Sequence, residues 1–285
     1  MGVVVLGSGF VGSAVATSLS EQVEVSVLDI PTHPPLARRD DEATRLVRDE
    51  IARIGATAVV NTCGLLRGTD DVMNSANVAF PTWLVDEVLA GSEVRFVHLG
   101  SAAEYGDPGT AAPVPETAPT PATGIYGESK LAGSQAVLAA RERGLDAVVA
   151  RGFNLVATRL APVSPLHQFL TDVRALPDEG GVVELWWPST VRDFVMLSDL
   201  AAGVARLALI DDVPDIVNLC SQTGVSFSDI VLALAARMGK AVEIGSLERP
   251  GIETVIGDNT RLRDLTGLKP EISAASIAAT IDAES

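Results

Sequence analysis

The sequence predicts an α/β fold, a doubly wound parallel sheet with a smaller α/β domain toward the C-terminus. Two observations carry that prediction. Short valine-rich runs recur through the first half of the chain, at 3–6, 23–28, 57–61, 94–99 and 145–151, and segments with helical spacing separate several of them. Strands covered by helices on both faces read as such runs, and a strand–helix–strand period implies parallel pairing. In addition, aromatic residues make up only 4% of the 285 residues while 47% are hydrophobic. The core must therefore be built from Val, Leu, Ile and Ala, which suits a buried parallel sheet.

Taken in order, the strand at 3–6 runs into Gly7-Ser8-Gly9-Phe10-Val11-Gly12, followed by a helical stretch at 13–20 and a strand at 23–28 that ends at Asp29. Gly7 allows a tight turn, Gly9 lets backbone approach a pyrophosphate, and Gly12 lets helix and strand pack closely. The helix N-terminus supplies N–H donors and a favourable dipole. Glycines, helix, strand and terminal acid in this register point to a dinucleotide-binding Rossmann-type unit. Asp29 would accept hydrogen bonds from the adenosine ribose, favouring NAD(H), while NADP(H) stays open because Arg38 and Arg39 in the following Pro-rich connection could meet a 2′-phosphate. Solvated surface is the alternative for those two arginines.

A helix is predicted at 40–54 and a strand at 57–61, with Thr62-Cys63-Gly64 at its C-terminal end, where an open parallel sheet offers its ligand crevice. The cofactor-binding set read here is Gly7, Gly9, Phe10, Val11, Gly12, Asp29, Ile30, Thr62, Cys63 and Gly64. Cys63 is read as a small packing residue rather than a nucleophile. A helix at 79–89 and a strand at 94–99 lead to Ser101, and a Pro/Gly/Ala loop at 107–124 follows.

That loop delivers Tyr126 and, four positions on, Lys130. Positions i and i+4 of a helix share a face, so phenol and ammonium can address one point. A lysine near a tyrosine favours the phenolate and yields a usable acid/base near neutral pH. With only two tyrosines and three lysines in the chain, the spacing carries weight; a surface pair that merely packs together is the alternative. A last strand of the period, 145–151, precedes Gly152-Phe153-Asn154.

Beyond Asn154 the prolines and the Trp186-Trp187 pair suggest an irregular insert at 155–189. A strand around 192–195, a helix capped by Ser198 or Asp199, a strand at 215–219, and helices at 226–238 and 274–281 complete the reading. The expected division is a dinucleotide-binding domain over 1–154, rejoined at about 190–219, and a substrate-binding domain over 155–189 and 220–285.

The formal charge of −16 with no basic run argues against nucleic acid or an anionic membrane as partner. Two distant cysteines and three dispersed histidines, His33, His98 and His167, support neither a disulfide framework nor a metal site. No apolar run approaches spanning length and no signal-peptide pattern opens the chain, so a cytoplasmic protein is expected.

The chain resembles the extended short-chain dehydrogenase/reductases, the NAD-dependent epimerase/dehydratase family that acts on nucleotide sugars. The resemblance runs nearly the full length. It rests on the Gly7–Gly12 loop, Asn77, Ser101-Ala102-Ala103-Glu104-Tyr105-Gly106, Tyr126 with Lys130, Arg151-Gly152-Phe153-Asn154 and Arg192-Asp193-Phe194-Val195. It implies that Tyr126 exchanges the proton, that Lys130 binds the nicotinamide ribose and lowers the tyrosine pKa, and that Ser101 hydrogen-bonds the reacting oxygen. A strand-end cap is the alternative for Ser101. The resemblance also implies Phe153 in the nicotinamide pocket, Asn154 and Arg192 at the substrate, Arg249 as a second substrate arginine, and Asn77 near the cofactor. Alternatives are a helix cap for Asn77 and pairing with Asp193 for Arg192. Trp186 and Trp187 could stack on a sugar or base, or serve a core or interface. A homodimer and a nucleotide-diphosphate (NDP) sugar substrate follow by the same analogy.

Sugar 4,6-dehydratases carry an Asp-Glu pair where this chain has Ala102-Ala103, which disfavours water elimination. The segments 100–106, 217–221, 257–261 and 267–271 look like those of NDP-4-keto-6-deoxyhexose reductases. The expected function is 4-keto reduction of such a sugar. An epimerase that keeps its NAD, and a non-catalytic dinucleotide-sensing regulator on the same fold, are the alternatives.

Overall fold

β1 (Gly2–Leu6) is buried along its whole length, as an apolar run must be where helices cover both faces of its sheet. The computed structural model describes residues 2–32, 41–159, 162–247 and 251–283. After β1 come α1 (Phe10–Ser20), β2 (Glu24–Leu28), α2 (Asp41–Arg53) and β3 (Ala56–Asn61). A helical run follows, in which α3 (Asp70–Asn74) and α4 (Phe80–Trp83) are joined and continued by wider π-type turns at Ser75–Ala79 and Leu84–Val88. Next are β4 (Arg95–Ser101), a short 3₁₀ turn (Ala102–Tyr105), α5 (Gly124–Glu142), β5 (Ala147–Gly152), β6 (Asn154–Val156) and α6 (Pro165–Ala175). The remainder is β7 (Gly181–Leu185), β8 (Val191–Met196), α7 (Leu197–Leu209), β9 (Ile216–Leu219), β10 (Gly224–Ser226), α8 (Phe227–Arg237), β11 (Val242–Ser246), β12 (Thr254–Val255), α9 (Thr260–Thr266) and α10 (Ala274–Asp282).

Among the described residues the main sheet has six parallel strands in the order β2-β1-β3-β4-β5-β9. Alternate side chains feed two cores. Val3, Val5, Val60, Val97 and Ala150 pack against α1 and α7 on one face. Val4, Leu6, Val59, Phe96 and Val149 pack against α2, the 80–89 helical run and α5 on the other. This is the doubly wound sheet the sequence predicts. Its order reverses between β1 and β3, which opens a crevice at the C-terminal ends of those strands.

A second, smaller sheet is centred on β8. Its first half pairs with β10 and β12, and its second half with β6, which leaves β5 after a single residue. The chain returns to the main sheet through α7 and β9. A third core joins α6, α8 and α10 to β7 and Phe194, and β7 pairs in parallel with β11.

Several local expectations change. The stretch at 155–189 is not irregular: α6 begins at Pro165, which occupies the first turn where no backbone donor is needed, and the Ser164 hydroxyl accepts from the Leu166 N–H. The helical run before β4 starts at Asp70 rather than 79. Its π-type turns shift the apolar residues off a 3.6-residue period, which hides the first turns from a periodicity reading. α7 is capped by neither Ser198 nor Asp199. β8 runs straight into it with Met196 at the N-cap, and Asp199 lies in the first turn.

Candidate active site

The glycine loop forms as its spacing requires. Gly7 adopts φ +103°, a conformation that side chains resist. A Cβ on Gly12 would strike the Gly7 carbonyl oxygen, so only glycine lets α1 close on β1. At Gly9 a Cβ would meet nothing, and Ser8, Gly9 and Phe10 are exposed. Gly9 is the N-cap of α1, with no side-chain cap and no acidic residue in the first turn. The helix therefore presents an open, positively polarised end, a cradle suited to a diphosphate.

Val11 is half-buried behind the loop, while Asp29 is exposed at the end of β2 beside buried Ile30. Thr62 donates its hydroxyl to the Leu6 carbonyl at 2.8 Å, locking the end of β3 to β1. Thr62 Oγ1 and Cys63 Sγ border Gly7. Asn77 is not a helix cap; it sits within the π-type turn, 1% exposed. Its Oδ1 accepts from the Leu65 N–H at 2.8 Å, and its Nδ2 donates to the Leu65 carbonyl and to Ser129 Oγ. It clamps the loop after β3 onto α5, with Gly64 lying between Asn77 and the Lys130 ammonium. The structure thus brings the glycine loop, 62–64, Asn77 and Lys130 to one crevice. Arg38 and Arg39 lie outside the described residues.

Ser101 ends β4 and caps the 3₁₀ turn, its hydroxyl accepting from the Ala103 N–H at 3.2 Å. The cap alternative thus describes its hydrogen bond, while its side chain also stands near the Tyr126 phenol. Tyr126 and Lys130 occupy the first turns of α5. Here the structure corrects the expected electrostatics. Burial raises the Tyr126 phenol above its usual value, the nearby Ser101 hydroxyl opposes that, and the Glu104 charge adds to it. Lys130 is buried and donates to the Leu99 carbonyl at 2.6 Å. Burial lowers its ammonium pKa, partly offset by Glu104.

Two participants carry no role in the sequence reading. Glu104 Oε1 accepts from the Ser101 N–H and from Ser134 Oγ, both at 2.8 Å, and Oε2 accepts from Arg151 Nε at 2.7 Å. Ser101 and Glu104 form a reciprocal capping box, so the Ser-x-x-Glu spacing is a legible signal for Glu104. Nothing local marks Arg151 as its partner.

Phe153 is buried in an apolar cluster with Tyr105, Val114, Cys220 and Val255. Asn154 is exposed on β6 and donates to the Asp193 carbonyl at 2.7 Å. Arg192 does not pair with Asp193. Its guanidinium donates to the Val191, Glu253 and Ile252 carbonyls. Burial lowers its pKa and the Asp107 carboxylate opposes that. Asp193 instead accepts from the Ser221 N–H and hydroxyl and from the Gln222 and Gly257 N–H groups. Trp186 and Trp187 are 44% and 39% exposed, so neither is a core residue of this chain. Arg249 lies outside the described residues.

Residues 3–220 match the model of the NAD dependent epimerase/dehydratase family. The chain is similar to the dTDP-6-deoxy-L-talose 4-dehydrogenase (NAD(P)(+)) of Kitasatospora kifunensis, 31% identical over 93% of this chain and 89% of that one. In fold it is similar to the UDP-glucuronic acid 4-epimerase of Bacillus cereus in complex with UDP-glucuronic acid and NAD, with TM-score 0.83, 17% identity and coverage of 100% and 98%. It is likewise similar to RMD from Pseudomonas aeruginosa complexed with NADPH, with TM-score 0.78, 22% identity and coverage of 99% and 98%.

Proposed function

The chain belongs to the NAD dependent epimerase/dehydratase family, and from that premise we propose that it is an NAD(P)-dependent oxidoreductase that reduces the 4-keto group of an NDP-4-keto-6-deoxyhexose. The observation that carries this reading is the Ser101 side chain beside the Tyr126 phenol and next to buried Lys130, with no carboxylate but Glu104 at this point among the described residues. Ala102 and Ala103 cannot move a proton, and Glu104 is committed to Arg151 and Ser134. Proton exchange at a carbonyl oxygen is within reach of this set; elimination of water is not. The similarity to a 6-deoxysugar 4-dehydrogenase supports the same sugar position, since oxidation of a 4-hydroxyl and reduction of a 4-ketone are one reaction in two directions.

The residues divide the work as follows. The Gly7–Gly12 loop and the α1 N-terminus hold the diphosphate of a nicotinamide dinucleotide, Asp29 and Ile30 its adenosine end, and Thr62-Cys63-Gly64, Asn77 and Phe153 line the way to its other end. Bound there, the dinucleotide supplies the hydride. Ser101 polarises the carbonyl oxygen. Tyr126 gives that oxygen its proton, and Lys130 holds the ribose. The second sheet, with Asn154 and Arg192, takes the nucleotide sugar, and Arg249 is a further substrate arginine on the family resemblance alone. By family analogy the active form is a cytoplasmic homodimer.

The test is NADH or NADPH oxidation with a panel of NDP-4-keto-6-deoxyhexoses. Stoichiometric consumption of the reduced cofactor is expected, and Tyr126→Phe should lower kcat by at least about 100-fold with cofactor Kd within about 3-fold. Turnover without net consumption would identify an epimerase instead. A Tyr126→Phe enzyme that keeps its rate would remove the proton-transfer assignment.

A further inference from the structure

Directly beneath Ser101 lies a charge pair that the chemistry above does not use. Glu104 is 0% and Arg151 2% exposed. The Arg151 guanidinium lies over the Tyr105 ring at 4.7 Å, and its Nη1 is buried without a hydrogen-bond partner. Burying two charges is a weak way to stabilise a fold, because desolvation offsets their attraction. A capping box needs only an acceptor at this position, which glutamine would also supply. The placement of the carboxylate suggests what the charge is for. One oxygen, Oε1, holds both the Ser101 N–H at the end of β4 and the Ser134 hydroxyl on α5, the helix that carries Tyr126 and Lys130. The other oxygen is fixed by Arg151, which β5 presents beside Gly100.

We propose that Glu104, anchored by Arg151, is a positioning residue that locks Ser101 in register with Tyr126. The proposal rests on the oxidoreductase reading above. A strand end and a helix start are separate bodies that can shift relative to each other. A shared, charge-assisted acceptor removes that freedom where a misplacement of tenths of an ångström matters. Among the described residues, the charged and titratable groups around the carboxylate are Arg151 from β5 and Lys130 and Tyr126 from α5, with Tyr105 of its own turn lying under the Arg151 guanidinium. Its negative charge also favours a protonated Lys130.

The test is a double-mutant cycle of Ser101→Ala and Glu104→Gln, with kcat and KM measured for the NADH-linked reduction. Glu104→Gln is expected to lower kcat about 10–50-fold in the native background, with both KM values within about 3-fold. In the Ser101→Ala background the same change should lower kcat less than about 3-fold, because the group it positions is gone. Equal losses in the two backgrounds, no loss at all, or a loss that vanishes once rates are scaled to the folded fraction would overturn the proposal. If Glu104→Gln does not fold, Ser134→Ala removes one of the three bonds at unchanged charge. It should lower kcat about 3–10-fold only where Ser101 is present, and equal losses again count against the idea. A wild type that turns over none of the sugars removes the functional reading and this proposal together, whereas a normal wild type with additive losses removes this proposal alone.

Discussion

At the scale of single residues, the phenol of Tyr126 poses the main physical question. In the proposed reaction it surrenders a proton to an alkoxide, yet it sits where burial and the Glu104 charge both raise its pKa. The other tyrosine, Tyr105, is pushed up to about 12, mainly by burial. Absorbance titration of the ligand-free protein should therefore find both phenols less than half ionised at the usual tyrosine value of 10.0. A phenolate signal below about pH 9 would contradict the buried site. The lowering that catalysis requires must then come with the ligand: NAD⁺ carries a positive ring, so adding it should move one of the two phenols to lower pH while NADH should not.

At the scale of elements, the β1–α1 junction separates two roles that a glycine can have. Gly12 is required by packing. Gly12→Ala should destabilise the protein by about 1–3 kcal/mol, because the new methyl meets the Gly7 carbonyl. Gly9 faces open space at ordinary backbone angles, φ −64° and ψ 176°. Gly9→Ala should leave the melting temperature of the free protein almost unchanged while largely abolishing the rise in Tm on adding dinucleotide. A retained ligand-induced rise in Gly9→Ala would mean that no phosphate approaches there. Both glycines were legible in the sequence because their constraint is local. α6 and the first turns before β4 were not. A proline at the first helical position reads as a breaker until its cap is seen, and π-type turns erase the period on which the reading depends.

At the scale of the whole molecule, Asp193 ties the second sheet together. Its carboxylate, 0% exposed and without a cation among its described partners, gathers donors from the 221–222 turn and from Gly257. The turn includes Gln222 at φ +63°. Burial raises Asp193 from 3.8 to about 6, although the four donated bonds pull it down. A folded pKa above the unfolded value means that the folded state binds the extra proton. Its stabilising contribution is present below about pH 4 and is lost as pH rises through about 6. Urea unfolding of the wild type and of Asp193→Asn should show this. The stability advantage of the wild type should shrink by about 2–3 kcal/mol between pH 4 and pH 7. An advantage that stays constant or grows over that range would mean that the hydrogen bonds, not burial, govern this carboxyl.

The sequence by itself determined what depends on neighbours along the chain. That includes the parallel α/β sheet from its valine-rich runs, the glycine loop and its terminal Asp29, and the helical spacing of Tyr126 and Lys130. Tertiary structure alone decided which distant residues meet and in what medium. Arg151 faces Glu104, 47 positions away, because β4 and β5 pair with Gly100 opposite Arg151. Asp193, the alternative partner read for Arg192, instead serves the 221–222 turn because β10 pairs with β8 there. The sign of the Tyr126 shift reversed for the same reason. Spacing can bring a lysine near a phenol, but how much water each group loses is set by every element packed around it.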